Sequence, residues 1–257
     1  MDDKRIDKKG QLTVWVIVAL VIVAVIILFF LLQRNFIKPG IETVKEDPRS
    51  FISQCVKKNA NEAVDIMLHH GGFIMPLHSK LYSNINISYL CYNSGNYNPC
   101  INEHPMLLNE MKEEITKYIG PRVEQCFEDY RNEMGKRNIR VSFNAMNLNI
   151  ELGKGRIYVD IKRDINVEDK GEQKRFNEFN IELISPLYDL AKIAIEITSQ
   201  ETKYCYFEYV GYMILYPRFK ISKFQMSDST KIYTIKDKNS DKEMNIAIRS
   251  CAISPGL

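Results

Sequence analysis

The chain has 257 residues, of which 45% are hydrophobic and 26% charged, and 35 basic residues nearly balance 32 acidic ones. These fractions are ordinary for a globular protein. Nucleic-acid-binding proteins usually carry a clear basic excess, so the balance argues against nucleic acid as a partner.

The longest apolar stretch runs over residues 12–32 and contains no charged side chain. A helix of that length spans about 30 Å, which is the thickness of the hydrocarbon core of a bilayer. The sequence therefore predicts a single transmembrane helix over 12–32, preceded by a short charged segment over 1–11. Membrane lipid is the first partner that it implies.

The stretch exceeds the apolar core of a cleavable secretory signal, so we expect it to remain as an anchor. Basic side chains precede it at Lys4, Arg5, Lys8 and Lys9. By the positive-inside rule they place the N-terminus in the cytoplasm. The cysteines all follow the stretch, which favours an external C-terminal domain at the cell membrane.

The entry to the stretch, Lys9-Gly10-Gln11, resembles the class III signal peptide of archaeal type IV pilin-like proteins. The resemblance implies cleavage after Gly10 and a mature chain that begins at Gln11. In that family a glutamate usually stands at the fifth position after the cut, where this chain has Trp15. The overall layout also resembles uncharacterised archaeal proteins with one span and an ectodomain.

A polar linker over 33–47 leads to a domain over 48–257, with a mainly helical half over 48–135 and a mainly sheet half over 136–257. Apolar residues spaced three and four apart predict a helix from Pro48 that ends at the glycine pair Gly71-Gly72. Residues 73–102 are predicted to be extended and looping.

Two helical segments are predicted over 104–135, broken or kinked at Gly120-Pro121. Alternation then predicts strands from residue 139, with a bulge at Ala145-Met146 where the phase slips. Gly153-Lys154-Gly155 is typical of a hairpin turn, and a charged turn is predicted over 167–175.

A helix is predicted to begin at Ser185-Pro186 and to cover the preceding strands. Strands follow at about 221–226, 230–236 and 243–250. Short links between strands require antiparallel pairing. We therefore predict an α+β fold in which an antiparallel meander packs with amphipathic helices.

An even number of cysteines in an external domain predicts up to three disulfides. Cys91 and Cys100 flank a turn and form the clearest pair. Cys55 and Cys126 lie on apolar helix faces and could join the two helices, which leaves Cys205 and Cys251. The alternative is buried reduced thiols.

The sequence contains no catalytic motif, phosphate loop or metal-ligand spacing. Its histidines, His69, His70, His78 and His104, do not show the spacing of a metal site. The sequence-near Cys–His option is Cys91 or Cys100 with His104, and paired cysteines are inert. We therefore predict no enzyme, catalytic residue, cofactor or metal. A membrane-tethered enzyme with a site assembled from scattered residues is the remaining alternative.

Residues 204–219 are rich in aromatic side chains, which suit contacts with a protein or a surface glycan. Tyr204, Tyr206, Tyr212 and Tyr216 are the candidate surface residues. Alternatively, the stretch is partly core, with the set Phe207, Tyr209, Met213 and Leu215 packed inside. The predicted function is binding by a membrane-anchored external domain, with a pilin-like or pseudopilin-like subunit of a filament or secretion system as the alternative.

Overall fold

The computed structural model describes residues 18, 20–26 and 47–253. The predicted span lies largely outside them, as do the linker over 33–46 and the processing residues Lys9, Gly10 and Gln11. The described residues of the span are helical and expose their apolar side chains. Within the described ranges, no helix is both long enough and apolar enough to cross a membrane.

Contacts divide the chain into two units, residues 1–47 and residues 48–257. The second unit contains four helices and ten strands among its described residues. The helices are α1 (Pro48–His69), α2 (Leu107–Gly135), α3 (Leu187–Tyr204) and α4 (Tyr209–Leu215). The strands are β1 (Ser79–Tyr82), β2 (Ile85–Tyr92), β3 (Ile101–Asn102), β4 (Arg140–Phe143), β5 (Asn147–Gly153), β6 (Arg156–Asp169), β7 (Glu172–Ile184), β8 (Phe219–Gln225), β9 (Lys231–Asp237) and β10 (Glu243–Arg249). The α+β prediction is confirmed.

Helix α1 begins and ends where the sequence predicts. Its C-terminus gives way to Gly71 and Gly72, both with positive φ, a conformation that glycine adopts without steric cost. The predicted break at Gly120-Pro121 is wrong, because α2 continues through Pro121 as one helix of 29 residues. The apolar stripe is continuous on both sides of the proline, with Ile119 and Val123 fully buried, so packing holds the two segments in one helix.

Strands β4 to β7 form a four-stranded antiparallel sheet. β4 and β5 pair with successive parts of β6, and β7 pairs with the opposite edge of β6. The predicted charged turn is shorter than expected: only Lys170 and Gly171 separate β6 from β7. The strands extend into the charged stretch because Ile165 and Val167 point into the core while charged neighbours face solvent.

The predicted phase slip lies in the gap between β4 and β5. Opposite this gap, the pairing of β6 with β7 shifts register between Lys162 and Ile165. Arg163 lies inside this irregularity and is nearly buried. Its guanidinium donates to both carboxylate oxygens of Glu124, at 2.9 and 2.7 Å. It also lies 4.0 Å above the ring of Phe143. The ion pair between Arg163 and Glu124 therefore joins the irregular part of β6 to α2.

The second sheet has the order β1-β2-β10-β9-β8, with β3 also paired to β2. Its pairs are antiparallel except that of β2 with β10, which is parallel. That pairing joins strands from the first and second halves of the domain, so the two halves share a sheet. One face carries Ile221, Tyr233 and Ile246 into the main core, and the other carries a small cluster around Ile232 and Ala247.

Helix α3 touches both sheets and helix α2. Leu190, Ala194 and Ile197 on it are fully buried. At its start, the N-cap residue is Pro186, which makes no side-chain cap bond, so the predicted cap at Ser185 is displaced by one residue. The Oγ of Ser185 accepts from the N–H of Leu187 at 3.3 Å. The helix therefore joins the two sheets into one hydrophobic core.

All six cysteines form disulfides, in the pairs Cys55–Cys126, Cys91–Cys100 and Cys205–Cys251. The predicted pairing is confirmed. Cys55–Cys126 joins α1 to α2, and Cys91–Cys100 joins β2 to the chain just before β3. Cys205–Cys251 joins the end of α3 to the segment after β10. The reduced-thiol alternative is excluded.

We expect the loss of Cys55–Cys126 to destabilise the domain more than the loss of Cys91–Cys100. The first bond joins residues 71 apart and the second joins residues 9 apart. By loop-closure entropy, the double substitution C55A/C126A costs about 4 kcal/mol and C91A/C100A about 3 kcal/mol. Urea unfolding of the full chain measures both values. A larger loss for the shorter loop would contradict this account.

Candidate interaction surface

The aromatic stretch begins where α3 ends. Cys205 adopts a left-handed conformation, with φ of 53°, which ends the helix and turns the chain back. Tyr204 before it is 71% exposed, and Tyr206 after it is also exposed. Two of the four predicted surface tyrosines therefore lie on either side of this turn.

Helix α4 occupies the next segment. The carboxylate of Glu208 accepts from the backbone N–H groups of Val210 and Gly211, both at 3.2 Å, and from the hydroxyl of Tyr206 at 2.7 Å. These bonds hold the pKa of Glu208 below its usual range, chiefly through the Tyr206 hydroxyl. The same bond raises the pKa of Tyr206. The capping carboxylate thus fixes Tyr206 against the start of the helix.

The other two predicted tyrosines form a row with a buried ring. Phe207 is fully buried, and its ring centroid lies 5.4 Å from that of Tyr212. Tyr212 lies 4.6 Å from Tyr216. Tyr212 is half-buried, and burial raises its pKa, whereas Tyr216 is exposed. The row therefore runs from the core to solvent.

The alternative prediction is that part of the aromatic stretch packs in the core. It holds for three of its four residues. Phe207 is buried, and Tyr209 and Met213 pack partly against the core. Leu215 is 75% exposed instead, because the seven-residue helix turns it away from the sheet.

Aliphatic side chains that the sequence did not single out complete the exposed area. Ile214 is 76% exposed and Val210 is also exposed. We call the set Tyr204, Tyr206, Val210, Ile214, Leu215 and Tyr216 the tyrosine surface. Single exposed apolar residues are normal, but several of them on one short segment of the chain are typical of a contact site.

A buried polar cluster supports one end of this surface. Glu201 on α3 is fully buried. Its carboxylate accepts from the ammonium of Lys231 at 2.6 Å and from the hydroxyl of Tyr233 at 2.5 Å. Lys231 also donates to the backbone carbonyl of Cys205 at 2.6 Å. The cluster therefore fixes the turn from which the tyrosine surface begins.

An arginine holds the other end. Arg218, just beyond α4, lies 3.0 Å from the carboxylate of Asp189 on α3 and donates to Asp237 on β9 at 2.8 and 3.0 Å. These bonds raise the pKa of Arg218 and lower that of Asp237. The segment over 206–217 is thus held at its start by the hydrogen bond from Lys231 to Cys205 and at its end by the ion pairs of Arg218 with Asp189 and Asp237.

A second polar region lies in a cleft of about 390 Å³ beside the N-terminal part of α2. His78 faces Glu103 at 2.8 Å, and His104 faces Glu110 at 2.5 Å. The sequence did not predict these pairs, because three of the four residues lie in loops or short strands that the fold brings together. In the described part of the chain, no group of three or more potential ligands is placed to hold a metal ion.

Comparison of the chain with protein-family models, with curated proteins and with solved structures finds no match in any of the three. The function must therefore be inferred from the residues and their geometry.

We expect Lys231→Met to destabilise the domain by about 3–5 kcal/mol, because it leaves the buried carboxylate of Glu201 without a counter-charge. The double variant Glu201→Gln, Lys231→Met should recover part of that loss, since it removes both charges together. Urea unfolding at pH 7 compares the two. A double variant at least as unstable as Lys231→Met would show that charge burial is not the cause.

Tyr233 provides a test by pH. Burial, followed by the charge of Glu201, raises the pKa of its hydroxyl. The folded state therefore keeps a proton that the unfolded state releases above about pH 10. The resulting stability is present below pH 10 and is lost as pH rises, at about 1.4 kcal/mol per pH unit.

Tyr233→Phe should lower the stability at pH 7, because Glu201 loses a hydrogen-bond donor. The variant should also lose less stability than wild type as the pH rises above about 10, because it has no hydroxyl to titrate. The measurement is the difference in unfolding free energy between wild type and variant from pH 9.5 to 11. A constant difference over that range would contradict the account.

Proposed function

We propose that the protein is a single-pass membrane protein whose external domain binds a partner through the tyrosine surface. The observation that carries the proposal is a set of six exposed aromatic and aliphatic side chains within residues 204–216, a segment that polar contacts hold at both ends. A binding face needs side chains that are accessible and already in place, because ordering them on binding would cost affinity.

The disulfides support an external location. Disulfides form and persist in oxidising compartments, while the cytosol keeps thiols reduced. Three disulfides in one domain are consistent with an extracellular site. The uncharged stretch over 12–32 supplies the proposed anchor, and the basic residues before it supply the proposed orientation.

The composition of the surface supports binding. Tyrosine is enriched at protein interfaces because its ring is large and rigid and its hydroxyl remains a hydrogen-bond donor. Tyr204, Tyr206 and Tyr216 present such rings to solvent. A protein or a surface glycan offers the flat apolar and polar groups that these rings can contact.

We expect the full chain to stay in the membrane fraction after an alkaline carbonate wash and to lose its C-terminal domain when intact cells are treated with protease. Placing two arginines in the apolar stretch, Val21→Arg and Val23→Arg, should release the protein, because each charge opposes insertion. A C-terminal domain that is protected in intact cells and digested in lysed cells would contradict the proposed orientation.

Sequencing the N-terminus of the purified protein separates the anchor from the pilin-like alternative. An intact start would leave residues 1–11 as a cytoplasmic segment. A start at Gln11 would favour a processed pilin-like subunit.

A further inference from the structure

We propose that the tyrosine surface lies against the outer leaflet of the membrane that anchors the protein and favours anionic lipid there. This inference rests on the proposed function, since it names the partner of the same surface. It assigns the domain a membrane-facing side.

The apolar part of the surface fits a bilayer interface. Interfacial segments combine aliphatic side chains, which enter the acyl boundary, with tyrosines, which lie at the headgroup level. Ile214 and Leu215 are each about three-quarters exposed. Tyr204, Tyr206 and Tyr216 stand before and after them in the chain, with their rings accessible.

The charges around the surface fit anionic headgroups. Lys203 directly precedes Tyr204 in the chain, and the exposed Lys220 follows Tyr216 by four residues. Two further lysines contact the segment directly. The ammonium of Lys223 lies 5.1 Å from the ring of Tyr206, and that of Lys238 donates to the carbonyl of Pro217 at 2.7 Å. Juxtamembrane lysines are attracted to anionic lipid.

Acidic groups near the surface reduce this attraction. The carboxylate of Glu208 accepts from neutral donors, two backbone N–H groups and the hydroxyl of Tyr206, and it therefore keeps its negative charge. Asp237 is buried and bound by Arg218. Glu196 on α3 is also exposed and faces Tyr212. The four lysines and Arg218 make five positive charges against the four carboxylates of Asp189, Glu196, Glu208 and Asp237, which leaves a net charge of +1.

The linker is long enough for this contact. Its 15 residues over 33–47 reach at most about 50 Å when extended. A domain of about 210 residues has a radius of gyration near 17 Å and thus a diameter of roughly 45 Å. Any face of the domain can therefore reach the bilayer, and such a tether holds the local concentration in about the millimolar range. Even a weak interfacial surface would be occupied at that concentration.

The test places a fluorescent reporter on the surface. Trp15 is the single tryptophan of the chain, so Trp15→Phe gives a silent background for Leu215→Trp. The full chain is reconstituted into vesicles of phosphatidylcholine with phosphatidylglycerol, with and without bromine on the acyl chains. Insertion at the interface predicts that brominated lipid lowers the Leu215→Trp emission about twofold. Glu172→Trp at the β6–β7 hairpin is the control reporter and should not respond.

The lysines are tested with matched charge changes. In the Leu215→Trp chain, Lys220→Glu with Lys223→Glu should abolish most of the quenching. Lys154→Glu with Lys170→Glu changes the net charge equally at two hairpin turns and should leave it unchanged. In vesicles of phosphatidylcholine alone, the quenching should fall toward that of the lysine variant.

Carbonate-resistant association with the vesicles is measured on the same samples, so failure of the anchor is distinguished from failure of the surface contact. A chain that is anchored but not quenched at residue 215 would overturn the inference and leave the proposed function intact. A blue shift of the emission that depends on protein density, without quenching, would assign the surface to a second copy and would also overturn it.

Discussion

The domain depends on the neutralisation of two carboxylates on its central helix. Helix α3 packs against both sheets, so most of its buried side chains are apolar. It nevertheless carries Asp189 and Glu201 at buried positions. A buried charge without a partner is strongly destabilising. Lys231 and Tyr233 from β9 donate to Glu201, and Arg218, which directly precedes β8, forms an ion pair with Asp189. These bonds fix the register between the helix and the second sheet.

The same bonds explain why the tyrosine surface is exposed. Lys231 fixes the carbonyl of Cys205, and Arg218 fixes the chain after α4. The segment between these points places Phe207 in the core and packs Tyr209, Tyr212 and Met213 partly against it. Val210, Ile214 and Leu215 lie on the other side of the short helix and face solvent because the backbone is fixed. A pairing between two distant elements, α3 and β9, thus sets the surface.

Local patterns predicted the longer helices, most strands and the disulfides, but not β1, β3 or α4. They also did not predict the contacts between distant parts. Periodicity located α1 and α3, and the phase slip located the irregularity that Arg163 fills. The parallel pairing of β2 with β10 and the His–Glu cleft join residues far apart in sequence, about which one sequence carries no signal. The prediction that Leu215 packs in the core is wrong for a related reason. Hydrophobicity predicts burial only when a partner surface is available. Composition alone predicted four surface tyrosines, of which Tyr204, Tyr206 and Tyr216 are exposed and Tyr212 is half-buried.

The position of the exposed residues on α4 bears on their role. A helix of seven residues is too short to be stable by itself, and α4 is held by the cap at Glu208 and by the packing of Phe207 and Met213. Ile214 and Leu215 take no part in that support, because both are mostly exposed. Replacing them with polar residues would leave the packing of the domain intact. Ile214 and Leu215 are therefore available to a partner without a cost to the fold, which is the property that the proposed contact surface needs.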